Sequence, residues 1–145
     1  MTRQYDSNSA DDTYHYGELL GSQANPGDVY ILIGDLGVGK TVFTQGFAKG
    51  LSIEEPIVSP TFTIVQEYLE GRAPLYHFDV YRIGDPEEME EIGYLDYFYG
   101  NGISLIEWAN RIPELIPKTA KRIEIQKDLE KGFDYRKIIY SDFEG

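Results

Sequence analysis

The stretch that decides the fold is LIGDLGVGKTVF, residues 32–43. It contains the pattern G-x-x-x-x-G-K-[ST] between Gly34 and Thr41. An apolar run rich in β-branched residues, DVYILI at 28–33, precedes the pattern and is typical of a buried strand. After it, large apolar residues recur every four positions, which predicts a helix that begins near Gly39. The sequence therefore predicts a strand, a glycine-rich loop and a helix in succession.

A loop of this composition is suited to an anion. Glycines allow backbone amides to surround an oxyanion without Cβ clashes, and the following helix directs its unpaired amides at the same anion. In this pattern the lysine reaches the β- and γ-phosphates of a nucleotide, and the hydroxyl after it ligates Mg²⁺. The residues that we expect to bind a nucleoside triphosphate and Mg²⁺ here are Gly34, Gly37, Val38, Gly39, Lys40 and Thr41.

Two acidic residues lie at the ends of apolar segments. Asp79 ends the apolar part of LYHFDVYR, and Glu107 follows ISLI. Acids at the carboxyl ends of buried strands lie on the ligand side of an open α/β sheet. There they can hold Mg²⁺ and position or deprotonate an attacking water. The alternative for each is an edge residue in a surface salt bridge.

Three neighbouring features leave alternatives open. Trp108 follows Glu107, and by pattern alone a single tryptophan is more typical of a core than of a ligand-stacking position. His77 shares a strand face with Asp79, and a lone histidine favours a supporting role over metal binding. The segment SPTFT, which contains Thr61, is either a loop with capping hydroxyls or a switch that senses the γ-phosphate.

The remaining pattern predicts one α/β domain. We expect a P-loop NTPase-like mixed sheet with parallel central strands, an antiparallel hairpin and flanking helices, over residues 13–145. Residues 1–12 are polar and predict a flexible N-terminal tail. The predicted elements besides the loop and its neighbours are a helix at 13–24, a hairpin from TFTIVQEYL and PLYHFDVYRI, a helix starting in DPEEMEE, a strand at 102–108, and strands at KRIEIQ and YRKIIYS.

Charge and composition limit the classes of binding partner that we expect for this protein. The 25 acidic and 13 basic side chains give a net charge of −12, and there is no basic cluster to displace counterions from nucleic acid. No apolar run approaches the about 20 residues that a membrane span needs. The chain has no cysteine, which is compatible with a reducing compartment. We therefore expect a soluble, cytoplasmic protein with no DNA partner and no membrane partner.

Several segments together carry a resemblance to a known family. GDLGVGKT, SPTFT, YHFDVYR, DPEEMEEIG and LIEWANR occur in this order, and the match runs from about Thr13 to Arg136. They resemble the TsaE (YjeE) family, the P-loop ATPases that serve bacterial synthesis of N6-threonylcarbamoyladenosine on tRNA. SPTF followed by YHFDVYR is far more specific than the loop alone. The resemblance implies a Mg²⁺-dependent ATP hydrolase that is slow without its partner proteins.

The resemblance also implies roles for individual residues. The implied catalytic residues are Asp79, Glu107 and Lys40, and the implied metal ligands are Thr41, Glu107 and Asp79. The implied nucleotide contacts beyond the loop are Thr61 in the switch, Trp108 at the rim of the site, Thr13 near the adenosine and Arg136 late in the chain. Val38 stands where the family usually has alanine. Arg82 and Arg111 remain candidates for an arginine finger or for surface ion pairs.

The partners that the resemblance implies are the TsaB and TsaD proteins. They handle the threonylcarbamoyl group, so tRNA would be met only indirectly through the complex, and ATP hydrolysis would reset that complex between turnovers. Three alternatives stay open at this point: a small-molecule kinase, a GTPase switch and a nonenzymatic nucleotide sensor. A GTPase normally selects guanine with an N-K-x-D element, which this sequence lacks.

Overall fold

The computed structural model describes residues 2–35 and 37–143, and these form a mixed sheet with helices on its faces. The strands are β1 Arg3–Ser7, β2 Val29–Ile33, β3 Val65–Tyr68, β4 Leu75–Asp79, β5 Ile103–Glu107, β6 Lys121–Lys127 and β7 Arg136–Asp142. The helices are α1 Ala10–Gln23, α2 Lys40–Gly50, α3 Glu88–Ile92 and α4 Tyr94–Phe98, with 3₁₀ turns at Ala109–Arg111 and Pro113–Leu115.

Within the described residues the sheet has the order β1-β7-β6-β2-β5-β4-β3. Strand β2 pairs in parallel with β5 and β6, and β4 pairs in parallel with β5. The pairs β3–β4, β6–β7 and β1–β7 are antiparallel. The predicted mixed sheet with parallel central strands is therefore confirmed, as is the predicted hairpin, in which Val65 faces Phe78.

The N-terminus differs from the flexible tail that we predicted for residues 1–12. Arg3–Ser7 form an edge strand beside β7, and α1 begins at Ala10, where the Ser9 side chain accepts a hydrogen bond from the backbone of Asp12. Tyr5 stacks on Tyr16 of α1 with ring centroids 4.4 Å apart. The prediction was wrong because this strand depends on a partner at the other end of the chain, which local composition does not reveal. Met1 lies outside the described residues.

Strand β2 has a core on each of its faces. Tyr30 and Leu32 pack with the layer formed by α1 and α2, whereas Val29 and Ile31 pack with the cluster on the opposite face. Helices α1 and α2 approach closely through glycines, because a Cβ on Gly46 would clash with the backbone of α1 at Tyr14. This packing anchors the helix that follows the glycine-rich loop. In residues 2–35 and 37–143, no helix has the length and apolarity of a membrane span.

Candidate functional site

The glycine-rich loop connects the central strand β2 to α2, as the sequence predicted. Gly37 and Gly39 have φ values of +81° and +108°, a region that side chains with a Cβ rarely adopt. Gly39 is also the N-cap of α2, and a glycine has no side chain that could bond to the amides of the first helical turn. Those amides are therefore available to an anion bound in the loop. Leu36 lies outside the described residues.

The two predicted acids lie side by side next to the loop. Asp79 and Glu107 are register partners at the ends of the parallel strands β4 and β5. Glu107 is also aligned with Leu32, near the end of the strand that leads into the loop. Because all three strands run in the same direction, their carboxyl ends meet at one edge of the sheet. The structure thus brings both acids to the loop.

Glu107 is bound on both of its oxygens. Its Oε1 lies 3.5 Å from the Lys40 ammonium, and its Oε2 lies 2.8 Å from Nε2 of His77, which is 3% exposed. A carboxylate only accepts hydrogen bonds, so Nε2 carries the proton in this pair. Burial raises the pKa of Glu107, but the bond and charge of His77 and the charge of Lys40 outweigh burial and lower the pKa. Glu107 is therefore held as a carboxylate.

Asp79 is connected to the predicted switch segment. Its Oδ2 accepts a hydrogen bond of 3.3 Å from the Thr61 hydroxyl, and its Oδ1 accepts one of 3.0 Å from the backbone of Tyr81. The Thr61 hydroxyl lies 2.7 Å from that of Ser59. Ile64, just after this segment, has a φ of +70°, an uncommon value for a β-branched residue. The SPTFT segment is thus bonded directly to a predicted catalytic acid.

Trp108 is not a core residue, so the interpretation from pattern alone was wrong. It is 40% exposed and has a φ of +65°. Its ring lies 5.2 Å from the Lys40 ammonium and 4.8 Å from the Tyr81 ring. Sequence reasoning missed Tyr81. The available signal was its position two residues after Asp79, although the strand ends before it.

Two cavities flank Lys40 and Trp108, which line both. The first has a volume of about 530 Å³ and is lined by most of the predicted site residues. These are Gly37, Gly39, Lys40, Thr41, Thr61, Asp79, Glu107 and Trp108. The second, of about 780 Å³, lies beside Gly34 and the end of β6. We refer to the first as the acid cleft and to the second as the β6 cavity.

Other predicted residues support the loop instead of lining these cavities. Val38 is buried, and its carbonyl accepts a hydrogen bond of 2.9 Å from Nε of Arg136. Thr13 is 2% exposed, with its hydroxyl 2.7 Å from that of Ser7 and its methyl 3.9 Å from the Cβ position at Gly39. The contact of Arg136 with Val38 and that of Thr13 with Gly39 both reach the loop, and each connects it to a distant part of the chain. Nucleotide contacts by Thr13 and Arg136 stay predictions.

The two candidate arginine fingers lie on aromatic rings. The guanidinium of Arg82 is 4.6 Å from the Phe62 ring, and that of Arg111 is 4.7 Å from the Tyr81 ring. Neither residue lines the acid cleft or the β6 cavity. Phe62 is 80% exposed, so the Arg82 pair lies at the surface.

The donor set of the acid cleft fits Mg²⁺ bound together with a nucleotide. In the described part of the chain, no three His, Asp or Glu side chains form a group that could hold a metal by themselves. Thr41, Asp79 and Glu107 nevertheless offer oxygen ligands to one cavity. Mg²⁺ is commonly bound by one or two carboxylates, with phosphates and waters completing its coordination.

These observations define a class: mixed α/β proteins with a glycine-rich loop between a central parallel strand and its helix, and with acids from neighbouring strands beside the loop. The family model described as threonylcarbamoyl adenosine biosynthesis protein TsaE matches residues 7–138. The chain belongs to the TsaE family.

Individual relatives agree with this assignment. The tRNA threonylcarbamoyladenosine biosynthesis protein TsaE of Bacillus subtilis is 47% identical over 90% of this chain and 80% of its own length. The protein of the same description from Nostoc sp. is 51% identical over 70% of this chain and 64% of its own length. The crystal structure of Bacillus subtilis YdiB superposes with a TM-score of 0.81 at 39% identity, covering 98% of this chain and 86% of that one.

Proposed function

We propose that this protein is a Mg²⁺-dependent ATP hydrolase that supports tRNA threonylcarbamoyladenosine biosynthesis. The observation that carries the proposal is the acid cleft, in which the glycine loop and Lys40 face Glu107, Asp79 and Thr61. This is the set of groups that phosphoryl transfer to water requires. The biosynthetic role rests on membership of the family and on the relatives, which are tRNA threonylcarbamoyladenosine biosynthesis proteins.

Each group has a role in this proposal. The loop amides and Lys40 bind the phosphates, and their positive charge stabilises the charge that develops on them. Thr41 and Glu107 would hold Mg²⁺, which when bound neutralises the phosphates and orients them. Asp79 would align the attacking water and receive its proton. Since Lys40 now contacts Glu107, we expect the phosphates to draw the ammonium away from this carboxylate.

Thr61 would report on the bound nucleotide. Its hydroxyl donates to the same carboxylate that would handle the water, so a change at Asp79 is transmitted directly to the SPTFT segment. A loop segment of this kind can order or shift when a γ-phosphate is present. We propose that this coupling makes the surface around Phe62 depend on the nucleotide.

The partners in the proposal are proteins. TsaB and TsaD would carry out the threonylcarbamoyl transfer, and ATP hydrolysis here would reset their complex between turnovers. A net charge of −12 disfavours direct contact with tRNA, which would be met only through the complex. We propose a cytoplasmic location and no DNA or membrane partner. Hydrolysis would be slow until the partners complete the site.

ATP binding and hydrolysis by the purified protein test the enzymatic part. We expect calorimetric binding of ATP with Mg²⁺, and a loss of affinity on the order of 100-fold in Lys40→Ala, because an ammonium paired with an anion is removed. Asp79→Asn should retain binding but lose turnover. If the wild type binds no adenine nucleotide, or if Asp79→Asn hydrolyses ATP as well as the wild type, this mechanism is wrong.

Capture experiments test the partners and separate the rival functions. We expect TsaB and TsaD to retain the protein more strongly with ATP and Mg²⁺ than without nucleotide. Phosphate release that rises when TsaB and TsaD are added would favour the proposal. A kinase would instead consume almost no ATP until a small-molecule acceptor is supplied. A sensor would bind ATP without turnover, whether or not TsaB and TsaD are present.

A further inference from the structure

The β6 side of the glycine loop has a basic residue with no assigned role. Lys127 is the last residue of β6 and the register partner of Arg136, the first residue of β7. Arg136 in turn donates a hydrogen bond of 2.9 Å to the Val38 carbonyl within the loop. The end of the β6–β7 ladder, where Lys127 lies, is therefore attached to the loop through this hydrogen bond.

The side chain of Lys127 extends over the loop. Its ammonium lies 4.0 Å from the position that a Cβ would occupy on Gly37. Since β6 and β5 lie on opposite sides of β2, this ammonium approaches the loop from the side opposite Glu107. Lys127 lines the β6 cavity together with Gly34 and Lys40.

Lys127 forms no ion pair in the part of the chain that the structure describes, although the chain has 25 acidic and only 13 basic side chains. Its neighbour on the same hairpin, Lys131, lies 5.2 Å from the centroid of the Tyr135 ring. Asp35 and Glu124 line the same cavity but form no ion pair with Lys127, and an ammonium a few ångströms from a loop suited to anions is placed to attract an anion bound there.

We propose that Lys127 is a second phosphate-binding lysine, which contacts the phosphate chain of the bound nucleotide from the β6 side while Lys40 contacts it from within the loop. The inference rests on the proposed binding of ATP by this loop. Lysine acts on phosphate as a point charge, so the contact requires proximity and not a fixed angle. Its effect should therefore be electrostatic and sensitive to salt.

Calorimetric titration of ATP with Mg²⁺ into four proteins tests this: the wild type, Lys127→Ala, Lys127→Arg and Lys131→Ala. We expect Lys127→Ala to weaken binding by about fivefold, a magnitude typical of one partly screened charge pair. Lys131→Ala removes the same net charge from the same hairpin and should stay within about twofold of the wild type. Lys127→Arg should recover most of the affinity. The difference between wild type and Lys127→Ala should shrink as NaCl is raised.

Thermal unfolding without nucleotide accompanies the titrations and identifies any variant that is destabilised. Equal affinities of Lys127→Ala and Lys131→Ala would overturn the role of Lys127 and leave the proposed ATP site intact. A loss in Lys127→Ala that is independent of salt would also contradict it. If the wild type itself binds no ATP, both the proposed function and this inference are wrong.

Discussion

Replacing His77 by alanine tests how the acid cleft is held together. The imidazole is 3% exposed and donates a hydrogen bond of 2.8 Å to Glu107, whose other oxygen lies 3.5 Å from the Lys40 ammonium. Removing this donor leaves a mostly buried carboxylate with one partner. A hydrogen bond to a charged group contributes about 1.5–3 kcal/mol, and the volume lost from a buried site adds to this cost.

We therefore expect His77→Ala to lower the free energy of unfolding by about 3–4 kcal/mol. For a chain of this size this corresponds to a decrease in Tm of about 8–14 °C. The assay is thermal and urea unfolding without nucleotide. His15→Ala is the matched control, because His15 lies at the surface and its bond of 3.3 Å to Glu18 is exposed. Its Tm should change by about 1 °C or less.

A double-mutant cycle isolates the bond from the lost volume. His77→Ala should cost less in a Glu107→Gln background than in the wild type, with a coupling of about 1–2 kcal/mol. His77→Gln retains an N–H donor and should recover part of the loss. If His77→Ala is equally costly with and without the Glu107 carboxylate, His77 acts only by filling space and our account of the cleft is refuted.

The lowered pKa of Glu107 makes the stability of the protein depend on pH in a predictable direction. Because its folded-state pKa lies below its unfolded value, this carboxylate contributes stability at neutral pH, and the contribution is lost as pH falls through the folded pKa. The difference in unfolding free energy between the wild type and Glu107→Gln should therefore decrease on acidification below the usual range of glutamate. A difference that grows on acidification would contradict this assignment.

Three further predictions concern the loop and the helix behind it. Gly46→Ala should destabilise the protein by about 1–3 kcal/mol in urea unfolding, because the added methyl group meets the backbone of α1. The control Gln45→Ala, on the exposed face of α2, should leave the stability nearly unchanged. ATP should change the fluorescence of Trp108, since the ammonium 5.2 Å from its ring would move toward the phosphates; an unchanged spectrum at calorimetric saturation would contradict this movement. Arg136→Ala should weaken ATP binding by freeing the Val38 carbonyl, and an unaltered affinity would limit Arg136 to a structural role.

Much of the site could be predicted because its information is local. The glycines, the lysine and the threonine of the loop lie within eight consecutive residues; the strand before them is encoded by a continuous apolar run and the helix after them by large apolar residues at every fourth position. Asp79 and Glu107 could be chosen because each ends an apolar strand. The exposed position of Trp108 was harder to predict, because a single aromatic residue forms no periodic pattern. Its left-handed backbone conformation is also not visible in the sequence.

The amino-acid sequence by itself determined the class of fold, the anion-binding loop and the identity of the two acids that face it. Tertiary structure alone decided that His77 and Lys40 hold Glu107 from both sides, that Arg3–Ser7 pair with β7, and that the β6–β7 hairpin supports the loop. The physical reason is the separation along the chain. Periodicity reports which face of an element is buried, but it does not report which distant element covers that face or which side chains then meet across it.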